Sequence, residues 1–350
     1  MKFFKSTIAF LVIIALMLAV AACSAPAASD EDSSANASAE ATTGEGVQIA
    51  SASDAKVAFI MGGPISDMSW NYTGYQGLMM MEEEGAQVVY QENTDPSNIV
   101  ESVRTYASEG YNIIFINDDT NQEDVVNTIQ DFPETQVFIC NGTNHTENVY
   151  PVYFADEDQG FVMGAIAGLL TETNKIGFVG GLEFTPIIHC YEGFVQGVKY
   201  VNPDAEVVVT YTGSMTDVAA AKETAAAMFD SGCDVVAPNA DAASLGVIEA
   251  GEEAGKLTVA CGTGMDSVGP TTCVAGVVMD TSVGYKACFD QLIAGKLPTP
   301  EEGAQKFGIA DGLVLEPEYY ENAAITDELK EQVMEAFNAL KNGEVTLELS

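Results

Sequence analysis

From Lys56 onward, short apolar runs rich in β-branched and aromatic residues alternate with longer stretches whose apolar positions recur every three or four residues. KVAFIM (56–61), QVVYQ (87–91), NIIFIN (112–117), QVFIC (136–140) and VYPVYF (149–154) predict strands, with helices near 69–84, 96–109 and 121–131 between them. A second series begins with a helix near 158–171 and continues through KIGFV (175–179), EVVVTY (206–211), DVVAP (234–238), LTVAC (257–261) and CVAGVVM (273–279). Its intervening helices are expected near 187–201, 216–231 and 243–255. Continuous apolar strands alternating with helices imply parallel sheets covered on both faces. The pattern therefore predicts an α/β chain of two doubly wound, parallel-sheet lobes joined by a hinge. Crossings between lobes are expected near 154–158, near 278–280 and after Gly303. They divide the body into a first lobe, 55–155 plus about 279–303, and a second, 156–278 plus about 304–350. A helix near 282–295 falls between the last two crossings, and the final helix, about 326–341, should pack outside a lobe.

Ahead of this body the pattern changes. Lys2 and Lys5 precede an unbroken apolar run over 8–22 that ends in small residues. A basic start, a short apolar core and small residues before a cut site predict a secretory signal over 1–22. The run is shorter than the roughly 20 residues of a membrane span. Its end, LAVAAC (18–23), resembles the lipobox of bacterial lipoproteins. That resemblance implies cleavage before Cys23, a lipid on its sulfur, and an extracytoplasmic protein anchored to the cell membrane. Residues 24–54 are Ser, Ala, Thr, Gly and acids, too polar to offset their ordering entropy, so 23–54 reads as a lipidated Cys and a flexible acidic tether.

Charge narrows the partners. A net charge of −39 excludes nucleic acid and anionic lipid surfaces, which need basic patches. Arg104 is the only arginine and falls on the polar face of a predicted helix, so no guanidinium fork is expected to grip a carboxylate or phosphate. With only His145 and His189, neither a histidine zinc site nor a Ser-His-Asp set is evident, and no cofactor is expected. Cys140, Cys190, Cys233, Cys261, Cys273 and Cys288 lack CxxC spacing and read as buried free thiols.

Ligands of open parallel sheets sit beyond the carboxyl ends of the strands. That rule selects Asn117, Asp118 and Asp119 after one strand, Phe184 after the Gly180-Gly181 turn, and Asn239 and Asp241 after another. Asp118 is equally suited to capping a helix or to accepting from a ligand. Trp70, the only tryptophan, sits in the loop after the first strand, where an indole face can stack on a flat ring.

The segments MGGPISDMSWNYTGYQGL (61–78), KIGFVGGLEFTPIIHCYEGFVQGVKYVNP (175–203), YTGSMTD (211–217) and NADAASLGVIEAGEEAGK (239–256) resemble the basic membrane protein family, the nucleoside-binding lipoproteins of ABC importers. The resemblance covers nearly all of 55–316. It implies a type I periplasmic-binding fold, a purine nucleoside or related ligand, and an ABC permease as partner. Its Asp-x-Ser-aromatic-Asn element maps onto Asp67, Ser69, Trp70 and Asn71. The family's Gly-Val-Asp-x-Asp-Gln stretch becomes CGTGMDSVGP (261–270), which puts Gly264 at its first acid and leaves Asp266. A usual ligand-facing Lys maps to Met279. These departures leave a free nucleobase, a modified nucleoside, a flavin-like ring or a sugar open as ligand. A nucleoside hydrolase using the acids of INDD (116–119) is the competing enzyme class, and a receptor feeding a membrane sensor is a third. Binding without catalysis by a monomer is the expected mode.

Overall fold

The computed structural model describes residues 49–67 and 69–350. The signal segment, Cys23 and the tether up to residue 48 lie outside the described residues. The tether expected through residue 54 ends sooner. Ile49 is buried in the core, and Ala52–Asp54 form a 3-10 turn ahead of the first strand.

The first lobe is built on β1 (Lys56–Met61), β2 (Gln87–Gln91), β3 (Ile113–Asn117), β4 (Gln136–Cys140) and β5 (Val149–Phe154). Helices α1 (Trp70–Glu83), α2 (Ile99–Ser108) and α3 (Gln122–Ile129) connect them. The second lobe contains α4 (Asp156–Leu170), β6 (Lys175–Gly180), α5 (Thr185–Val201), β7 (Glu206–Tyr211), α6 (Val218–Asp230), β8 (Val235–Asn239), α7 (Ser244–Ala254), β9 (Leu257–Ala260) and β10 (Cys273–Gly276). The chain then returns through α8 (Ser282–Ile293) and β11 (Gln305–Phe307), and finishes with β12 (Glu318–Tyr319) and α9 (Asp327–Lys341).

Strand order is β11-β5-β4-β3-β1-β2 in one sheet and β12-β10-β9-β8-β6-β7 in the other. Every pairing is parallel except β10 with the edge strand β12. The apolar runs explain this. All five residues of β3 and of β4 are buried, as strands covered on both faces require, whereas the edge strand β2 is only partly buried. Alternate residues feed opposite faces: Val57, Phe59 and Met61 join one core cluster, and Ala58 and Ile60 the other. All six cysteines of the body are buried and unpaired.

Strand β11 corrects one expected boundary. It pairs with β5, so the third crossing follows Phe307 rather than Gly303. The three crossings are laced together. The Ala155 amide donates to the Phe307 carbonyl (3.0 Å), the Ile309 amide to Asp158 Oδ2 (2.7 Å), and the Leu315 amide to the Val278 carbonyl (3.0 Å). In the second lobe α4 and α5 meet backbone to backbone. A Cβ at Gly164 would fall on the Phe194 carbonyl, and one at Gly197 on the Phe161 carbonyl. Helix α9 packs outside this pair, its start capped by the Thr326 hydroxyl, which accepts from the Leu329 amide (3.1 Å).

Candidate ligand cleft

In each sheet the order reverses direction at the first strand of the series, so the connections leaving β1 and β3, and those leaving β6 and β8, diverge to opposite faces. Such switch points open a crevice. The four loops from the two lobes line a single cavity of about 670 Å³.

The β1–α1 loop is held by Asp67. Its Oδ1 accepts from the amides of Ser69 and Tyr72 (both 3.0 Å), and its Oδ2 from the Asn71 amide and Asn71 Nδ2 (both 2.8 Å). The carboxylate thus caps α1 and satisfies amides that the first helical turn leaves free. Trp70 opens the helix and meets Phe154 edge-on, with centroids 5.7 Å apart at 89°. Asn71 is buried and joins a relay. Asn117 Nδ2 donates to Asn71 Oδ1 (3.2 Å), and the Tyr285 hydroxyl donates to Asn117 Oδ1 (2.5 Å). Each amide orientation is therefore set by its neighbours. Asp118 Oδ1 accepts from the Thr120 amide (2.7 Å) and hydroxyl (2.5 Å), which folds the β3–α3 loop.

Across the cavity, Phe184 immediately precedes α5 and Asn239 ends β8. Asp241 has φ +42°, a left-handed conformation that is costly for a residue with a Cβ. The two walls touch where the Ser69 hydroxyl donates to the Cys261 carbonyl (3.2 Å).

Asp67, Ser69, Trp70, Asn71, Asp118, Phe184 and Asn239 all line the cavity. Asp266 does not, and neither does Gly264. The Met265–Ser267 turn carrying Asp266 is anchored by Met265 in a satellite cluster with Ile248, Ala260 and Cys273, and the end of β9 presents Cys261 instead. Met279 lines the cavity.

The electrostatics are one-sided. Asp67, Asp118, Asp119, Asp156, Glu183 and Asp241 line the cavity, and among the described residues no Lys, Arg or His does. Burial, with repulsion from Asp67 added, pushes Asp241 up to about 7. Burial, then Asp118, raises Asp119 above the usual carboxylate range. Asp156 is 5% exposed, and burial, helped by Glu157, lifts it well above that range. Its Oδ2 has no hydrogen-bond partner among the described residues. Asp156 lies two residues beyond β5, as Asp119 does beyond β3 and Asp241 beyond β8; sequence reasoning passed over it because 154–158 was read as a crossing between lobes. Arg104 is far from this site in character. It is half-exposed and within 4.0 Å of Glu101 and Asp131 on the outer surface.

A family model described as ABC transporter substrate-binding protein, PnrA-like, matches residues 54–347. The chain belongs to this family. This PnrA-like protein is 27% identical over 262 residues to the transcriptional activator protein med of Bacillus subtilis, covering 74% of this chain and 80% of that one. It is 30% identical over 202 residues to the ABC transporter nucleoside-binding protein BmpA of Lactococcus lactis, covering 56% and 58%. The chain thus spans most of the first relative and little more than half of the second. Among solved structures, a transcriptional activator of the comK gene from Bacillus halodurans superposes with a TM-score of 0.70 at 24% identity, covering 83% of this chain and 99% of that one. That likeness establishes the two-lobed fold. The PnrA-like chain is a substrate-binding protein by family, its partners being a small molecule and a permease. No helix among the described residues is long and apolar enough to cross a membrane.

Proposed function

We propose that this protein is the extracytoplasmic, lipid-anchored receptor of an ABC importer, and that it holds a flat nitrogenous ring, a purine nucleoside or related base, between its lobes. The observation that carries this reading is that Trp70 of one lobe and Phe184 of the other line one interlobe cavity, beside the oriented amides of Asn71 and Asn117 and the side chain of Asn239. Aromatic faces hold the ring by stacking, at about 1–3 kcal/mol per base. Side-chain amides offer both donor and acceptor to its edge. The nucleoside named for the Lactococcus lactis relative is in keeping with this chemistry.

Ligand contacts to both walls favour the closed arrangement that the Ser69–Cys261 hydrogen bond already joins, and closure presents the loaded receptor to its permease. Cys23 carries the lipid that keeps the receptor at the membrane. The cavity is used for binding, without chemistry on the guest, and a single chain suffices because one chain supplies both walls.

A thermal-shift panel of nucleobases, nucleosides, flavins and sugars tests the reading. A true ligand at 100 times its dissociation constant stabilises the fold by about 2.7 kcal/mol. Stabilisation by sugars alone would replace the ring with a polyol. Release of free base from a nucleoside during overnight incubation would make the protein a hydrolase.

A further inference from the structure

We propose that the guest is an organic cation, a flat ring bearing a positively charged nitrogen, and that Asp156 is its counter-ion. The inference rests on the ring-binding reading above and adds charge to it.

Three observations point this way. First, six carboxyl groups and, among the described residues, no basic side chain line the cavity. A low-dielectric cleft walled by one sign of charge concentrates ions of the other. Secondly, Asp156 is nearly sealed, lines this cavity, and has a carboxyl oxygen with no partner among the described residues. Leaving such a group unmatched is costly, so its partner is expected to arrive from outside. The titratable groups that bear on it are Glu157 and Asp158 on its own helix and Asp119 beyond β3. Tyr153 on β5, Cys140 ending β4 and Cys190 on α5 complete its surroundings. None of these carries a positive charge. Asp156 also begins α4, where the helix dipole favours the ionised form once a cation is present. Thirdly, Trp70 lines the same cavity, and an indole face attracts cations as well as stacking on rings. A bare metal ion does not fit, because no group of three or more His, Cys, Asp or Glu among the described residues is gathered closely enough to ligate one.

Burial holds the Asp156 carboxyl well above its ordinary value, so the ionised form is disfavoured until an opposite charge faces it. Pairing with a fixed cation favours the ionised form, and the proton it gives up passes to the buffer.

The test uses matched pairs that differ in charge: 1-methyladenosine, cationic at neutral pH, against adenosine; and 1-methylnicotinamide against nicotinamide. Calorimetric titration of the whole protein in two buffers of different ionisation enthalpy gives affinity and protons released. The cation of at least one pair should bind tenfold or more tighter than its neutral partner, with net proton release. Asp156→Asn should cut that preference below threefold while the unliganded Tm is kept. Adenosine binding as tightly as 1-methyladenosine would overturn the charge assignment and leave the nucleoside reading standing. A preference for 1-methylnicotinamide with no riboside binding would uphold the charge assignment and overturn the nucleoside reading. Failure of all four to bind would overturn both.

Discussion

Trp70 gives the sharpest handle on the cleft. Replacing it with Ala removes one stacking face and one edge contact, and the two losses appear in different measurements. The stacking face contributes about 1–3 kcal/mol to ligand binding, a roughly 5- to 150-fold loss of affinity. The edge-to-face contact with Phe154 contributes about 0.5–1.5 kcal/mol beyond area burial, and this loss falls on the unliganded fold. Trp70→Ala should therefore bind roughly 5- to 150-fold more weakly while its Tm drops only modestly. Trp70→Phe, which keeps a ring, should recover most of the affinity. Titration calorimetry reads the variants. The wild type reports on itself, because its one tryptophan makes intrinsic fluorescence a signal from this position alone. Saturating ligand should shift or quench that emission. If Trp70→Ala binds within twofold of wild type and the wild-type emission does not respond to ligand, Trp70 is a packing residue and the stacking account fails.

Three further outcomes are expected. Gly164→Ala would drive a Cβ into the Phe194 carbonyl and prise α4 from α5, at about 1–3 kcal/mol for overpacking; Tm should fall with ligand affinity intact, and an unchanged Tm would refute the close helix contact. Asp241, raised to about 7 from about 3.9 in an unfolded chain, holds a proton in the folded state that the unfolded state has lost; its stabilising contribution is full below about pH 4 and vanishes as pH rises through 7. Asp241→Asn should thus exceed wild type in Tm at pH 8 and match it near pH 4, and equal Tm values at both pH values would show that the group is not strained by its charge. A chain beginning at residue 49 should keep both Tm and affinity, whereas one beginning at residue 55 should lose up to about 1.5–3 kcal/mol with the buried Ile49; equal stability of the two would return 49–54 to the tether.

The alternation of apolar runs and helical periodicity was sufficient for the α/β class, both lobes and nearly every element, because parallel strands buried on two faces leave an unambiguous pattern. The sheet rule picked out Phe184 and Asn239, and the family resemblance Trp70 and Asn71, all of which line the cavity, since a residue at the carboxyl end of a strand needs no tertiary knowledge to be placed near a cleft. What each group does there was another matter. Asp67 reads in sequence as a ligand acceptor, but folding spends its oxygens on α1, because the helix start curls back over it. Asp266 reads as a site acid, but the turn after β9 is anchored elsewhere by Met265. Asp156 had the strand-end signal, two residues after β5, but was passed over as part of a crossing. Its burial, its empty oxygen and its place in the cavity wall come from three chain crossings meeting at the hinge, and those meet only when residues more than a hundred positions apart are brought together. Local patterning determines which elements form and which ends they present; the charge of the space between them is a sum over both lobes, and only the assembled chain fixes it.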